Sequence, residues 1–183
     1  MNMLNEQDIV EVISKDKWMM NVIRHAATLD LPDWWVCAGF IRAKVWDELH
    51  GFSKKTKLPD VDVIYFDSNN LDEQSEKFFE NELNQLDSTI PWSVKNQARM
   101  HKLNKVEPYT SSLDGMSKFP ETCTAIGIKI DEKGKLQLCA PYGVEDLIKM
   151  KIRPTPFFEE SQIYHDRIKQ KKWSMTWGEI TVD

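Results

Sequence analysis

The sequence predicts a single α+β domain in which helices flank a mixed β-sheet. Three observations lead to this prediction: some segments carry apolar residues at helical spacing, others are short runs of β-branched and aromatic residues, and turn residues separate the two kinds. The chain has 183 residues, of which 41% are hydrophobic, enough to build one core. We therefore expect one domain over residues 1–183.

Composition narrows the possible functions. Lysine and arginine number 24 against 29 aspartate and glutamate, giving a net charge of −5, which argues against general nucleic-acid binding. The three cysteines have no paired spacing and indicate reduced thiols. The longest uncharged apolar run, residues 34–41, is far shorter than the roughly 20 residues that span a bilayer, and the N-terminus has no secretory pattern. We expect a cytoplasmic protein with no membrane segment.

The first thirty residues predict two short amphipathic helices. Apolar side chains recur there at intervals of three and four, from Ile9 to Ala26. The Leu31-Pro32-Asp33 segment then ends the helical pattern, because proline has no amide hydrogen to donate.

The next segment predicts a strand, a turn, a helix and a second strand. The bulky β-formers of residues 34–38 end at Gly39, and apolar residues of helical period follow from Ile41 to Leu49. A polar loop then leads to a run of β-formers over residues 60–66. Strand and helix are thus joined by a tight glycine turn.

The remaining elements alternate in the same way. Two β-rich runs, residues 122–130 and 135–140, flank the turn at 131–134 and predict a hairpin. A short strand is predicted over 92–96, and helices over 71–86, 143–150 and 157–171. We expect N-terminal helices over 1–30, a catalytic core over about 31–150, and a C-terminal helix and tail over 151–183.

Asp60 and Asp62 lie two residues apart in a predicted strand. Side chains alternate along a strand, so both carboxylates share one face, opposite the apolar side chains. Two ionised carboxylates in this arrangement repel each other unless a cation lies beside them. Hard oxygen ligands suit Mg²⁺ or Mn²⁺, which often take phosphate oxygens as further ligands. The alternative is that Asp60 belongs to the loop and Asp62 to a solvated strand edge, without metal.

Gly39 ends a strand and opens a helix. The backbone amides of the first helical turn are then free to bind an anion such as phosphate. Arg42 and Lys44 follow directly and could reach phosphate oxygens. The alternative is an ordinary strand-to-helix turn with two solvated cations.

These motifs together resemble a bacterial nucleotidyltransferase-like family, long known as a domain of unknown function, within the polymerase-β-like superfamily. The resemblance covers most of the chain and is carried by the segments Ala38–Arg42, Val45–Gly51, Asp60–Asp67, Trp92–His101, Pro120–Ala125 and Pro141–Leu147.

The resemblance implies a nucleotidyltransferase (polymerase-β-like) fold. In that fold the glycine turn holds a nucleoside triphosphate, and Asp60 and Asp62 act as catalytic ligands of divalent metal, Mg²⁺ or Mn²⁺. The implied reaction transfers a nucleoside monophosphate to an unknown hydroxyl acceptor, small molecule or macromolecule, and releases pyrophosphate. Gly39, Arg42 and Lys44 would contact the nucleotide.

The chain departs from the superfamily pattern at two places. Phe40 stands where the superfamily usually has Ser or a second Gly, and Lys95 and Asn96 stand where we would look for a third carboxylate. The reserve candidates for that carboxylate are Asp67, Asp114 and Glu121. The departures support an alternative, a catalytically degenerate domain that senses nucleotide or binds a protein partner. A hydrolase that uses water as nucleophile is a third possibility.

Two further groups have alternative interpretations. The polar cluster Asn96, Gln97, Arg99 and His101 either lines the site, which makes Asn96 a candidate nucleotide contact, or begins an exposed helix. Trp173 and Trp177 follow a basic run and either cover an acceptor groove or belong to a docked C-terminal tail.

Overall fold

The computed structural model describes residues 3–183 and contains a five-stranded mixed sheet packed by helices. Its spatial strand order is β3-β2-β1-β4-β5, where β2 and β3 run parallel and the other neighbours antiparallel. The α+β class and the mixed sheet predicted from the sequence are confirmed. The strands are β1 (Trp35–Cys37), β2 (Val61–Tyr65), β3 (Trp92–Asn96), β4 (Gly127–Ile130) and β5 (Leu136–Cys139).

Eight α-helices lie within the part of the chain that the structure describes. They are α1 (Glu6–Lys15), α2 (Lys17–Ala27), α3 (Gly39–Leu49), α4 (Glu73–Leu86), α5 (Gln97–Asn104), α6 (Ser112–Met116), α7 (Glu145–Ile148) and α8 (Gln162–Lys171). A 3₁₀ turn (Trp173–Met175) follows α8, and a separate strand pair joins β6 (Lys151–Ile152) to β7 (Thr181–Val182). None of the helices in residues 3–183 has the length and apolar character needed to cross a membrane.

The two predicted N-terminal helices are present, and Asp16 separates them. Its backbone ends α1, while its side chain accepts hydrogen bonds from the amides of Trp18 and Met19 and so caps α2. Residues 1 and 2 of the predicted helical region lie outside the described residues.

The helices α5 and α6 and the strands β6 and β7 were not predicted. The sequence of α5 is mostly polar and buries only Gln97 and Ala98, so it carries no apolar periodicity. It begins because the Asn96 side chain accepts from the amide of Ala98. The helix predicted over 143–150 is shorter because Met150 adopts a φ of 53° and the chain then pairs as β6.

Both faces of the sheet are covered, and this decides how deep the carboxylates lie. The face that carries Val61 and Val63 packs into the main core, as predicted. On the opposite face, Cys37 and Ile64 pack against Met116 of α6 in a smaller cluster. Asp62 shares that second face, because side chains alternate along β2. The carboxylate therefore lies beside apolar packing rather than at an open sheet surface.

Candidate active site

A cleft of about 440 Å³ opens where α3 begins, beside the start of β2. Four parts of the chain line it: the β1–α3 turn with Arg42, residues 56–60 with Asp62 of β2, Thr124, and side chains between Arg167 and Trp177. Of the site residues predicted from the sequence, the cleft brings together Gly39, Arg42, Asp60 and Asp62.

The β1–α3 turn presents free backbone donors at the cleft. Ala38 precedes α3 with φ 58° and ψ −122°, and no side chain caps this helix. Its carbonyl accepts from the amides of Ile41 and Arg42 at 3.1 Å, but the amides of Gly39 and Phe40 have no acceptor within residues 3–183. Free amides at a helix N-terminus attract anions. The positive φ lies at Ala38 rather than Gly39, and such strain in a non-glycine residue often accompanies functional turns.

Asp60 and Asp62 are the carboxylates that line the cleft in the described chain. Asp60 is exposed and lies just before β2, whereas Asp62 is half-buried within β2. Burial, and then the charge of Asp60, raises the pKa of Asp62 to about 6, although a hydrogen bond with Ser93 and the charges of Arg167 and Lys171 act in the opposite direction. The nearby cations therefore do not supply enough positive charge to keep the pKa of Asp62 at its ordinary value.

A divalent cation fits this carboxylate pair, because it would supply the missing charge to hard oxygen ligands. Residues 3–183 contain no group of three or more His, Cys, Asp or Glu side chains that could hold a metal. The reserve carboxylates have other partners: Asp67 accepts from the Asn69 amide, Asp114 pairs with Lys118, and Glu121 pairs with Arg167. The structure therefore offers two carboxylates for a metal at this site.

Arg42 lies in the cleft with its guanidinium against three tryptophan rings. The guanidinium carbon is 5.1 Å from the ring centroid of Trp46, 4.3 Å from that of Trp173 and 4.7 Å from that of Trp177. The side chain is 6% exposed, and its Nε and Nη1 have no hydrogen-bond partner among the described residues. Burial lowers its pKa to about 10, so the group stays charged at neutral pH. An anionic ligand in the cleft would compensate this charge.

Asp47 connects two walls of the cleft. It is buried and accepts hydrogen bonds from the amide and the hydroxyl of Thr56, both at 2.7 Å, and from the indole nitrogen of Trp177 at 2.8 Å. Thr56 belongs to the segment that leads to Asp60, while Trp177 contacts Arg42. One buried carboxylate thus fixes the carboxylate side of the cleft relative to the arginine side.

The sequence analysis did not assign Thr124, Arg167 or Lys171 to the site, although all three line the cleft. Arg167 donates to Glu121, which is fully buried and also accepts from the hydroxyl of Thr124 at 2.7 Å. The basic run that contains Arg167 and Lys171 was visible in the sequence, but nothing in it indicated which sheet edge it would reach. Trp173 and Trp177 belong to a docked tail and also line the cleft.

Lys44 lies away from the cleft, unlike in the prediction. Its Nζ is 3.0 Å from Asp16 Oδ2 and 2.8 Å from Glu48 Oε1. Residues two positions apart on a helix point in different directions, and Arg42 occupies the side that faces the cleft. Lys44 therefore does not line the cleft in which Gly39 and Arg42 lie.

Asn96 is also placed elsewhere. Its side chain is buried, accepts from the amides of Asp67 and Ala98, and donates to the carbonyls of Asp67 and Asn70. These bonds cap α5 and hold the turn after β2. Both the oxygen and the nitrogen of the carboxamide bind backbone groups, and Asn96 does not line the cleft. It is therefore not available as a nucleotide contact.

The chain belongs to a nucleotidyltransferase family, because residues 24–182 match the family profile described as "Nucleotidyltransferase". Among solved structures it is similar to a protein described as revealing a CCA-adding enzyme head domain, at 34% identity and a TM-score of 0.88, over 100% of this chain and 98% of that one. The predicted nucleotidyltransferase fold is thereby confirmed.

Larger enzymes share the fold at lower identity. A CCA-adding enzyme in complex with CTP matches at 13% identity with a TM-score of 0.61, and a Thermotoga maritima CCA-adding enzyme complexed with tRNA matches at 13% identity with a TM-score of 0.57. Both matches cover 98% of this chain but only 43% and 42% of those chains. This chain thus spans less than half the length of those two enzymes. A comparison with curated protein sequences gives no match.

Proposed function

We propose that this protein transfers a nucleoside monophosphate from a nucleoside triphosphate to a hydroxyl acceptor, with Mg²⁺ or Mn²⁺ as cofactor. One observation carries the proposal: Gly39, whose amide is free within residues 3–183, and the charged Arg42 line the same cleft as the Asp60–Asp62 pair. Nucleotidyl transfer needs anion-binding donors beside metal ligands. Membership of a nucleotidyltransferase family supports the same reaction class.

Two groups of residues have different roles: one binds the phosphates of the nucleotide, and the other binds the metal that compensates the carboxylate charges. The amide of Gly39 and the guanidinium of Arg42 would bind phosphate oxygens, and Asp60 and Asp62 would hold the metal. A bound divalent ion supplies Lewis-acid polarisation of the phosphoryl and acceptor oxygens. In the transfer, the acceptor oxygen bonds to the α-phosphorus, the bond to the bridging oxygen breaks, and pyrophosphate leaves with its electron pair. The hydroxyl proton passes to solvent.

The proposal is tested by titrating each nucleoside triphosphate, with and without Mg²⁺, while following tryptophan fluorescence. Trp173 and Trp177 line the cleft and serve as reporters. Asp60→Asn is a suitable variant, because Asp60 is exposed and its carboxylate makes no hydrogen bond within the described residues. We expect it to weaken the Mg²⁺-dependent part of nucleotide binding at least about tenfold. Equal Mg²⁺ dependence in the two proteins would contradict the proposal, and Asp166→Asn on α8 is the matched control.

A second function, nucleotide binding without transfer, is favoured by one observation. Residues 3–183 contain no group of three or more His, Cys, Asp or Glu side chains that could hold a metal together. Release of pyrophosphate on incubation with Mg²⁺, nucleotide and a pool of metabolites would exclude this function. Nucleotide-induced thermal stabilisation without any release would favour it. Pyrophosphate release with no acceptor present would instead indicate a hydrolase.

A further inference from the structure

A second cavity, of about 240 Å³, adjoins the cleft on the opposite side of Asp62. The two spaces share Ala38, Asp62, Thr124 and Arg167 in their walls. The second cavity extends from this common border towards α5 and α6. A ligand in it would therefore lie next to Asp62 without occupying the space lined by Gly39 and Arg42. We call this space the acceptor pocket.

The acceptor pocket contains a buried polar side chain that the fold does not use. Gln97 is 4% exposed, and its carboxamide has no hydrogen-bond partner within residues 3–183. The carboxamide borders the pocket, so a ligand or water in the pocket can take its hydrogen bonds. Asn104 also lines the pocket and uses its Nδ2 on the hydroxyl of Tyr109, which leaves its Oδ1 as a free acceptor.

Gly115 leaves room for the Gln97 carboxamide. A Cβ at this position would lie 2.5 Å from Oε1 of Gln97, closer than real side chains approach. Apolar surface from Ile64, Met100 and Phe119 forms other parts of the wall. The pocket thus combines apolar surface with carboxamide groups that both donate and accept hydrogen bonds.

The cations around the acceptor pocket already have anionic partners. Lys95 Nζ is 3.2 Å from Glu80 and 3.7 Å from Glu76, Lys118 pairs with Asp114, and Arg167 pairs with Glu121. A phosphate or carboxylate entering the pocket would have to compete with these carboxylates. The pocket therefore favours an uncharged ligand, because each Lys and Arg side chain among the described residues that line it already pairs with a carboxylate.

We propose that the acceptor pocket binds a small, uncharged, polyhydroxylated acceptor, such as a sugar or polyol, and that Gln97 determines its specificity. The inference rests on the proposed function, since it names the substrate class for the same site. Carboxamides suit hydroxyl groups because each can both donate and accept, and the apolar wall suits the C–H face of a ring. The small volume limits the bound group to about the size of one sugar ring.

The test measures transfer of label from an α-phosphate-labelled nucleoside triphosphate to defined acceptors. The neutral probes are ribose, glucose and myo-inositol, and the charged probes are glucose 6-phosphate and a short RNA oligonucleotide. The same neutral probes are titrated against protein carrying ¹³C-methyl methionine, because Met100 lines the pocket. We expect label on at least one neutral probe and a shift of the Met100 resonance by that probe. Label only on a charged probe, or no shift with any neutral probe, overturns the inference.

Two variants separate specificity from folding. Gln97→Met keeps the length of the side chain but removes its hydrogen bonds, and we expect the KM for the neutral acceptor to rise about tenfold while the KM for nucleotide stays within about twofold. Gly115→Ala displaces the carboxamide and should raise the same KM. Gln85→Met, the same exchange at an exposed position on α4, should change neither constant. An unchanged acceptor KM in Gln97→Met contradicts the inference.

The proposed function and this inference fail in different ways. If Mg²⁺ and nucleotide leave the tryptophan fluorescence of the wild-type protein unchanged, the proposed function is wrong and the inference falls with it. If nucleotide binds and transfer occurs, but not to neutral acceptors, only the acceptor class is wrong.

Discussion

Replacing Asp62 with asparagine should stabilise the metal-free protein at neutral pH, although it removes a proposed metal ligand. The pKa of Asp62 is raised from 3.8 to about 6 by burial and by Asp60. The folded protein therefore holds this proton more tightly than the unfolded chain does, and ionisation destabilises the fold. A difference of about two pKa units corresponds to about 3 kcal/mol as an upper bound.

The sign of the shift defines the pH window. Well below pH 3.8 the carboxyl is protonated in both the folded and the unfolded state, so the two proteins should approach the same stability there. The advantage of the variant grows as the pH rises from 3.8 to about 6 and is complete above that value. Asparagine is neutral at every pH and can still accept a hydrogen bond from Ser93.

The assay is thermal unfolding in a metal chelator at pH 4 and pH 7.5. For a chain of this size, about 3 kcal/mol raises the melting temperature by up to about 6–12 °C. Saturating Mg²⁺ should stabilise the wild-type protein but not the variant, and so reduce or reverse the difference. A variant that is less stable than wild type in chelator at pH 7.5, or equally stabilised at both pH values, would refute the reasoning. Asp166→Asn, on the exposed side of α8, should change stability by less than about 0.5 kcal/mol.

Three further substitutions test individual parts of the cleft. Arg42→Met retains packing against the tryptophan rings but removes the charge, so nucleotide affinity measured by fluorescence should fall at least about tenfold; unchanged affinity would show that phosphate binds elsewhere. Asp47→Asn leaves one of the Thr56 and Trp177 donors without a good acceptor, and urea unfolding should show a loss of about 1–3 kcal/mol together with altered tryptophan emission. Lys44→Ala should leave nucleotide affinity within about twofold and cost no more than about 1 kcal/mol, because the ammonium pairs with Asp16 and Glu48 away from the cleft. A large loss of affinity in this variant would place Lys44 in the site after all.

Local patterns were sufficient for the elements that bury apolar side chains. The helices α1 to α4 and all five strands of the main sheet fall within the predicted segments, although β4 begins at Gly127 rather than at residue 122. Helical spacing and alternation are direct consequences of burying one face. The helix α5 was missed for the same reason. It buries little apolar surface, and it depends on the Asn96 cap and on contact with α6.

The candidate site was predicted in part. Gly39, Arg42, Asp60 and Asp62 are within nearly one continuous strand–helix–strand unit, so their convergence follows from local structure. Lys44 was predicted incorrectly because nearness to Arg42 in the sequence does not mean that the two side chains point the same way. Residues two positions apart on α3 face different directions.

The sequence by itself determined the alternation that places Asp62 on the face of β2 opposite Val61 and Val63, and the helix start that leaves amides free after Ala38. Both depend only on backbone periodicity. Tertiary structure alone decided which distant side chains complete the cleft. Arg167, Trp173 and Trp177 reach it because the C-terminal segment folds back onto α3, where Asp47 and Trp46 hold it. That return depends on long-range packing and hydrogen bonding, which local sequence patterns do not encode.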